Sequence, residues 1–263
     1  MKVYKFMPLN VSHVETFLNG NIHLANWRKF NDVIEGIFLY KKDAQNDFAR
    51  RINSTKKRFL VACFACSRKW ACQNPVGCFP ILLRQDMLCC HPMWAHYADD
   101  HKGIALELEL GIKQNASLER DGYCLKKVTY LSQRNLLPDF VEDDHAIYKY
   151  AETVLLTKHK SWSYEKEIRL IVDTSCLKED TICFNGETNS PNGAIINSEC
   201  FKVKGFDIRI TKVFTGSAFS QNSNDQIESL RRVLDVNHIP CVPVISERPE
   251  YFFNEDEKKL WYL

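Results

Sequence analysis

The stretch Trp162-Ser163-Tyr164-Glu165-Lys166-Glu167-Ile168-Arg169-Leu170-Ile171-Val172 alternates in character from Glu165 onward, which predicts a β-strand. Successive side chains of a strand point to opposite faces, so Glu165, Glu167 and Arg169 share one face, and Ile168, Leu170 and Val172 fill the apolar end. Two steps of roughly 3.3 Å place the two carboxylates about 7 Å apart. Glutamate is disfavoured on a half-buried strand. Chemistry on a sugar or a cation is one reason for a chain to accept that cost. Spacing alone leaves a second reading open, an outward face on which Glu165 or Glu167 pairs with Arg169.

With 263 residues, 45% hydrophobic and 26% charged, the chain has the make-up of an ordinary globular protein. We expect one domain over residues 1–263. A net charge of +2 implies no general field for polyanions. No run of 18 apolar residues suggests a membrane span. The opening Met1–Phe6 lacks the apolar core of a signal peptide, so a cytoplasmic protein is expected. The 11 cysteines are odd in number, which argues against a disulfide framework. Cys63, Cys66, Cys72 and Cys78 lie close in sequence, but only Cys63 and Cys66 form a CxxC pair. Zinc ligands and buried reduced thiols are both readings of that cluster; no metal is called for.

Alternation and turn residues predict strands at Val3–Phe6, Ile22–Ala25, Arg58–Phe64, Ile104–Leu110, Leu125–Leu131, Cys200–Val203, Ile208–Thr215 and Cys241–Ile245. Helices are predicted at Asn10–Asn19, Asp43–Ile52, Met93–Asp100, Asp143–His159 and Gln221–Leu234, with Ser12 as a candidate cap for the first. Phe30-Asn31-Asp32 reads as a turn. Residues 66–91 read as a cysteine-rich loop, and residues 175–198 as a polar, mobile insertion. Strands and helices alternate irregularly, so the expected class is α+β: one domain with two packed β-sheets and flanking helices.

The segment Met93–Gly103 carries the second constellation. On a helix, Trp94, Tyr97 and His101 fall on one stripe. Such a stripe packs in a core or holds a planar ligand, with polar tips free to hydrogen-bond it. Histidine is the side chain suited to moving protons at neutral pH, which makes His96 and His101 candidates for orienting a ligand or transferring a proton. The His and Asp spacing matches no helical zinc motif. There is no phosphate-binding glycine loop, dinucleotide fingerprint or serine elbow.

Taken together, Tyr4-Lys5-Phe6, Phe30-Asn31-Asp32, Cys63-Phe64, Met93-Trp94-Ala95-His96-Tyr97 with His101-Lys102-Gly103, Lys158 with Trp162, Tyr164-Glu165 with Glu167 and Arg169, and Val213-Phe214-Thr215-Gly216 resemble the bacterial family called domain of unknown function 2971. The resemblance runs from residue 4 to about residue 253. It departs at Val33, where the family's turn carries proline. The order of these motifs is similar, more distantly, to that of ADP-ribosyltransferases. That resemblance implies an ADP-ribosyltransferase-like fold and NAD as substrate. It also implies catalytic Glu167 with Glu165, Tyr97 and His96, and a ligand held by Tyr4, Lys5, Trp94, His101, Trp162 and Arg169. The first-strand position departs, since it holds Tyr4 or Lys5 in place of His or Arg.

The implied activity is ADP-ribosyl transfer or NAD glycohydrolysis, with Glu167 stabilising positive charge on the ribose. The implied setting is a bacterial toxin or anti-phage defence effector with a macromolecular acceptor, protein or nucleic acid, and an operon-encoded partner. Two other readings stand beside it. One is a non-enzymatic nucleotide- or partner-binding regulatory domain, which would bind without turnover. The other is a metal-dependent hydrolase or nuclease, which a chelator would silence.

Overall fold

The computed structural model describes residues 1–30, 32, 35–42, 45–66, 87–113, 115–133, 135–137, 143–177, 182–184, 193–199, 206–244, 252–254 and 259–261. The chain begins with β1 (Lys2–Met7), α1 (Val11–Leu18), β2 (Asn21–Asn26), α2 (Asn46–Lys57) and β3 (Phe59–Cys66). Next come α3 (His91–Tyr97), β4 (Ile104–Gly111), α4 (Leu118–Asp121), β5 (Tyr123–Lys127), β6 (Thr129–Leu131), α5 (Asp144–Leu155) and β7 (Thr157–His159). A 3-10 turn at Lys160–Glu165 leads into β8 (Glu167–Asp173). The remainder comprises β9 (Ile182–Phe184), β10 (Ala194–Asn197), β11 (Asp207–Thr215), α6 (Asn224–Val236), β12 (Cys241–Pro243), β13 (Phe252–Asn254) and β14 (Lys259–Trp261).

Among the described residues the fold is mixed α and β around one large sheet of ten strands. The two expected sheets are thus joined, and β3 is the joint. Along one edge β3 pairs with β8 from Phe59↔Asp173 to Ala65↔Glu167, and β5 pairs with the far edge of β8. Along its other edge β3 serves two strands in turn. β2 pairs at Leu60 and Val61, and β1 pairs at Ala65 and Cys66. β4, β11 and β12 continue outward from β1, and β10 and β9 continue from β2. The sheet therefore forks over Ala62–Phe64. The Cys63 carbonyl in the fork accepts a bond from Lys5 Nζ at 3.0 Å, as a partly buried acceptor left out of the ladder requires.

Strand alternation assigns each face. Val3 and Met7 of β1, Leu106, Leu108 and Leu110 of β4, Leu60, Ala62 and Phe64 of β3, and Ile22 and Leu24 of β2 enter one core that both branches share. The opposite face of β3 and β8 packs Phe59, Val61 and Ile171 against α2 and α5. Tyr4 and Phe6 face α3. β8 is buried along its whole length, so its charged residues Glu167, Arg169 and Asp173 must find partners inside.

Several expectations change. Asn10 caps α1, its side chain accepting from the His13 amide, where Ser12 was expected. The long helix expected to reach His159 stops at Leu155, and Thr157–His159 becomes β7, parallel to β6. The expected strand Leu125–Leu131 breaks at Val128 into β5 and β6. The polar segment 175–198 contributes β9 and β10 to the sheet in its described part. The cysteine-rich loop lies mostly outside the described residues, as do Asn31, Cys72, Cys78 and the strand expected at Cys200–Val203. No helix among the described residues is long and apolar enough to cross a membrane.

Candidate functional site

The fork holds a cavity of about 220 Å³. Its walls come from elements distant in sequence: Tyr4 and Lys5 on β1, Cys63 on β3, Tyr97 at the end of α3, Lys158 on β7, and Glu165 with Glu167 before and at the start of β8.

Glu165 does not lie on a strand. It ends the 3-10 turn, and Lys166 follows in a left-handed conformation with φ of 45°. That reversal brings the two carboxylates to one point. Lys158 Nζ bonds Glu165 Oε2 at 2.6 Å and Glu167 Oε2 at 3.4 Å. The Tyr97 hydroxyl donates to Glu165 Oε1 at 2.5 Å. The Glu167 amide donates to the Tyr130 hydroxyl at 2.8 Å.

Arg169 anchors Glu167 with a two-pronged grip, Nε to Oε1 at 2.7 Å and Nη2 to Oε2 at 2.9 Å. Nη2 also bonds Glu35, and Nη1 bonds the Leu155 carbonyl. With 0% exposure and its donors so engaged, Arg169 bears on the cavity through Glu167. Glu35 also lies 3.7 Å from Lys158 Nζ.

Three buried carboxylates thus share two buried cations. Burial and the nearby Glu165 charge raise Glu167 to about 7, against the pull of Lys158. Burial alone would lower Lys158, but Glu167 and Glu165 outweigh it and hold the ammonium well above its usual range. Burial pulls Arg169 down to about 9, still protonated at neutral pH. Burial, with Glu165 adding to it, pushes the Tyr97 hydroxyl far up, so it remains a donor. Burial likewise raises the Cys63 thiol, which bonds Glu167. An ion cluster of this kind is no more stabilising than a packed apolar core of equal volume. Its position on a cavity wall makes it the candidate site.

The turn after α3 fixes Tyr97. Asp99, Asp100 and His101 all have positive φ, at 46°, 48° and 68°, a run that costs L-residues energy. Two glycines make room for it. A Cβ on Gly103 would come 2.3 Å from the Met7 carbonyl, and one on Gly216 would come 2.1 Å from the His101 carbonyl.

The structure gathers Tyr4, Lys5, Tyr97, Glu165, Glu167 and Arg169 at the cavity. It puts the four other candidates elsewhere. Trp94 is core, 1% exposed, with its indole N–H on the Leu88 carbonyl at 2.7 Å. His101 stacks on Trp94 behind the turn. Trp162 lies beneath Lys158, 4.9 Å from the ammonium, and beside His96. His96 lines a neighbouring groove. Helical spacing aligned the aromatic stripe, but burial turns its Trp94 end inward and leaves Tyr97 at the cavity.

Four contributors went unassigned in the sequence. Lys158 stands four residues before Trp162 in the quoted pattern, which was the available signal. Cys63 was read as a zinc ligand or a buried reduced thiol, and not as part of the site. As i and i+3 on one strand, Cys63 and Cys66 point to opposite faces and cannot grip one ion together. Glu35 and Tyr130 carried no signal.

No curated protein and no solved structure matches the chain. Residues 93–170, which supply Tyr97, Lys158, Glu165, Glu167 and Arg169, match the model of a family described as Protein of unknown function (DUF2971), and this match supports the family resemblance read from the sequence.

Proposed function

We propose that the protein cleaves the nicotinamide–ribose bond of NAD and passes ADP-ribose to a macromolecule or to water. One observation carries the reading: Glu165 and Glu167 meet on Lys158 in a buried cavity that also holds Tyr97 and Lys5. In the proposed reaction the bond between ribose C1′ and the nicotinamide nitrogen breaks, and its electron pair neutralises the pyridinium. The sugar is left with oxocarbenium character, which a carboxylate at hydrogen-bond distance stabilises. An acceptor oxygen or nitrogen then bonds to C1′ and gives up a proton. Glu167, held near 7 by burial, is matched to receive that proton near neutral pH. Lys158 and Arg169 keep the carboxylates fixed. The ADP-ribosyltransferase-like fold, the toxin or defence role, the cytoplasmic setting and the operon-encoded partner belong to this proposal.

The test is incubation of the protein with NAD labelled in the adenylate half, with and without cell extract. Free nicotinamide with labelled ADP-ribose indicates hydrolysis, and label on macromolecules indicates transfer. Binding of NAD with neither product would instead favour a non-enzymatic binding domain.

A further inference from the structure

The cavity is too small for the whole of NAD. About 220 Å³ falls below the several hundred cubic ångströms that enclose a drug-sized ligand. A second concavity of about 890 Å³ adjoins it, between α1 and the end of α3. The two share Lys5, Phe6, His23 and Tyr97 as common walls. Their occupants would therefore touch at Lys5 and His23.

Three features define the chemistry of the junction and the groove. Lys5 Nζ reaches the Cys63 carbonyl at 3.0 Å and makes no salt bridge with a carboxylate among the described residues. His13 of α1 and His23 of β2 stack with centroids 6.1 Å apart and planes 22° apart. Burial first, then His13, Lys5 and Lys29, lowers His23 below its usual value. The local field is thus positive and suits an anion that lands there. Asp99 and Asp100 stand on the opposite lip beside His96, where they can accept from sugar hydroxyls or an amino group but would repel phosphate. Phosphate is therefore directed to the Lys5 side.

We propose that the groove between α1 and α3 binds the nucleoside diphosphate half of the substrate. The diphosphate lies at Lys5, where groove and cavity meet, and the base lies along the paired imidazoles of His13 and His23. The assignment rests on the NAD reading for the identity of the ligand, and it fixes which way the ligand runs. The nicotinamide ribose enters the fork toward Glu165 and Glu167, and the adenosine remains outside between the helices. Stacking on flat side chains tolerates any base, so the groove selects for a nucleoside diphosphate more than for adenine.

Calorimetric titration of the full chain with ADP and with adenosine tests this, with nicotinamide release from NAD measured in parallel. The wild-type protein is expected to bind ADP. Lys5→Gln should weaken ADP binding about tenfold while barely moving adenosine, and Lys5→Arg should restore it. His13→Ala, at an exposed helix position, should weaken both ligands about five- to tenfold. Failure of the wild type to bind ADP, or ADP affinity unmoved by both Lys5→Gln and His13→Ala, overturns the proposal. NAD turnover with ADP affinity unmoved by those variants sinks the groove alone. The expected ADP pattern without turnover sinks the catalytic reading alone.

Discussion

The Tyr97 hydroxyl donates to Glu165 Oε1 at 2.5 Å, joining residues 68 positions apart. This one bond ties the aromatic helix to the acidic segment and closes one side of the cavity. Tyr97→Phe keeps the ring and removes the bond. We expect it to lower the NAD cleavage rate about tenfold while costing about 1 kcal/mol of stability. Steady-state rates and urea unfolding check both, and an unchanged rate would reduce Tyr97 to a packing residue.

Glu167 links the site to pH. Burial raises it to about 7, so the folded protein keeps a proton that the unfolded chain sheds above about 4.5. The native state then binds more protons in that window, and stability falls as pH rises through it. The shift corresponds to about 3 kcal/mol. Thermal unfolding from pH 5 to pH 8 should therefore show a downward slope that is shallower in Glu167→Gln. Equal slopes in the two proteins would mean that Glu167 titrates normally.

Glu35 sets how strongly the cations hold Glu167. It competes for Arg169 and sits 3.7 Å from Lys158 Nζ. Cys63 and Glu165 act on the Glu167 carboxylate itself, Tyr97 bonds Glu165 beside it, and Tyr130 accepts from the Glu167 amide. Glu35→Gln should free both cations for Glu167 and lower its midpoint. Carbon NMR of the glutamate carboxyls, assigned with Glu167→Gln, reads this directly. A midpoint that rises or stays put would remove Glu35 from the account.

Lys158 is the shared cation of the cluster, and its loss would leave Glu165 and Glu167 facing each other. Lys158→Met should cost about 3–5 kcal/mol, the loss expected when one partner of a buried ion network is removed. A cost below 1 kcal/mol would show that the carboxylates reach water.

Much of the sheet was legible because alternation there is controlled by packing on both faces. Val3–Phe6 and Ile104–Leu110 lie within β1 and β4, and Arg58–Phe64 overlaps β3 from Phe59 on. The acidic pair was legible as a pair, though through the wrong local geometry. A straight strand would set Glu165 and Glu167 side by side, whereas the left-handed Lys166 folds them onto Lys158. β7 was hidden because three residues running on from a helix carry no period of their own. β9 and β10 were hidden by the polar composition of the segment around them, since β10 forms on β2 and β9 forms on β10. Glu35 could not be read at all. Its carboxylate meets Arg169 across 134 residues, and no local pattern announces such a meeting.

The most direct measurement is nicotinamide release from NAD by the wild-type protein and by Glu167→Gln, each shown by circular dichroism to be folded. The account predicts release by the wild type and a loss of about a hundredfold or more in the variant. Equal release by both folded proteins, or none by the wild type with any macromolecular acceptor supplied from extract, would contradict it.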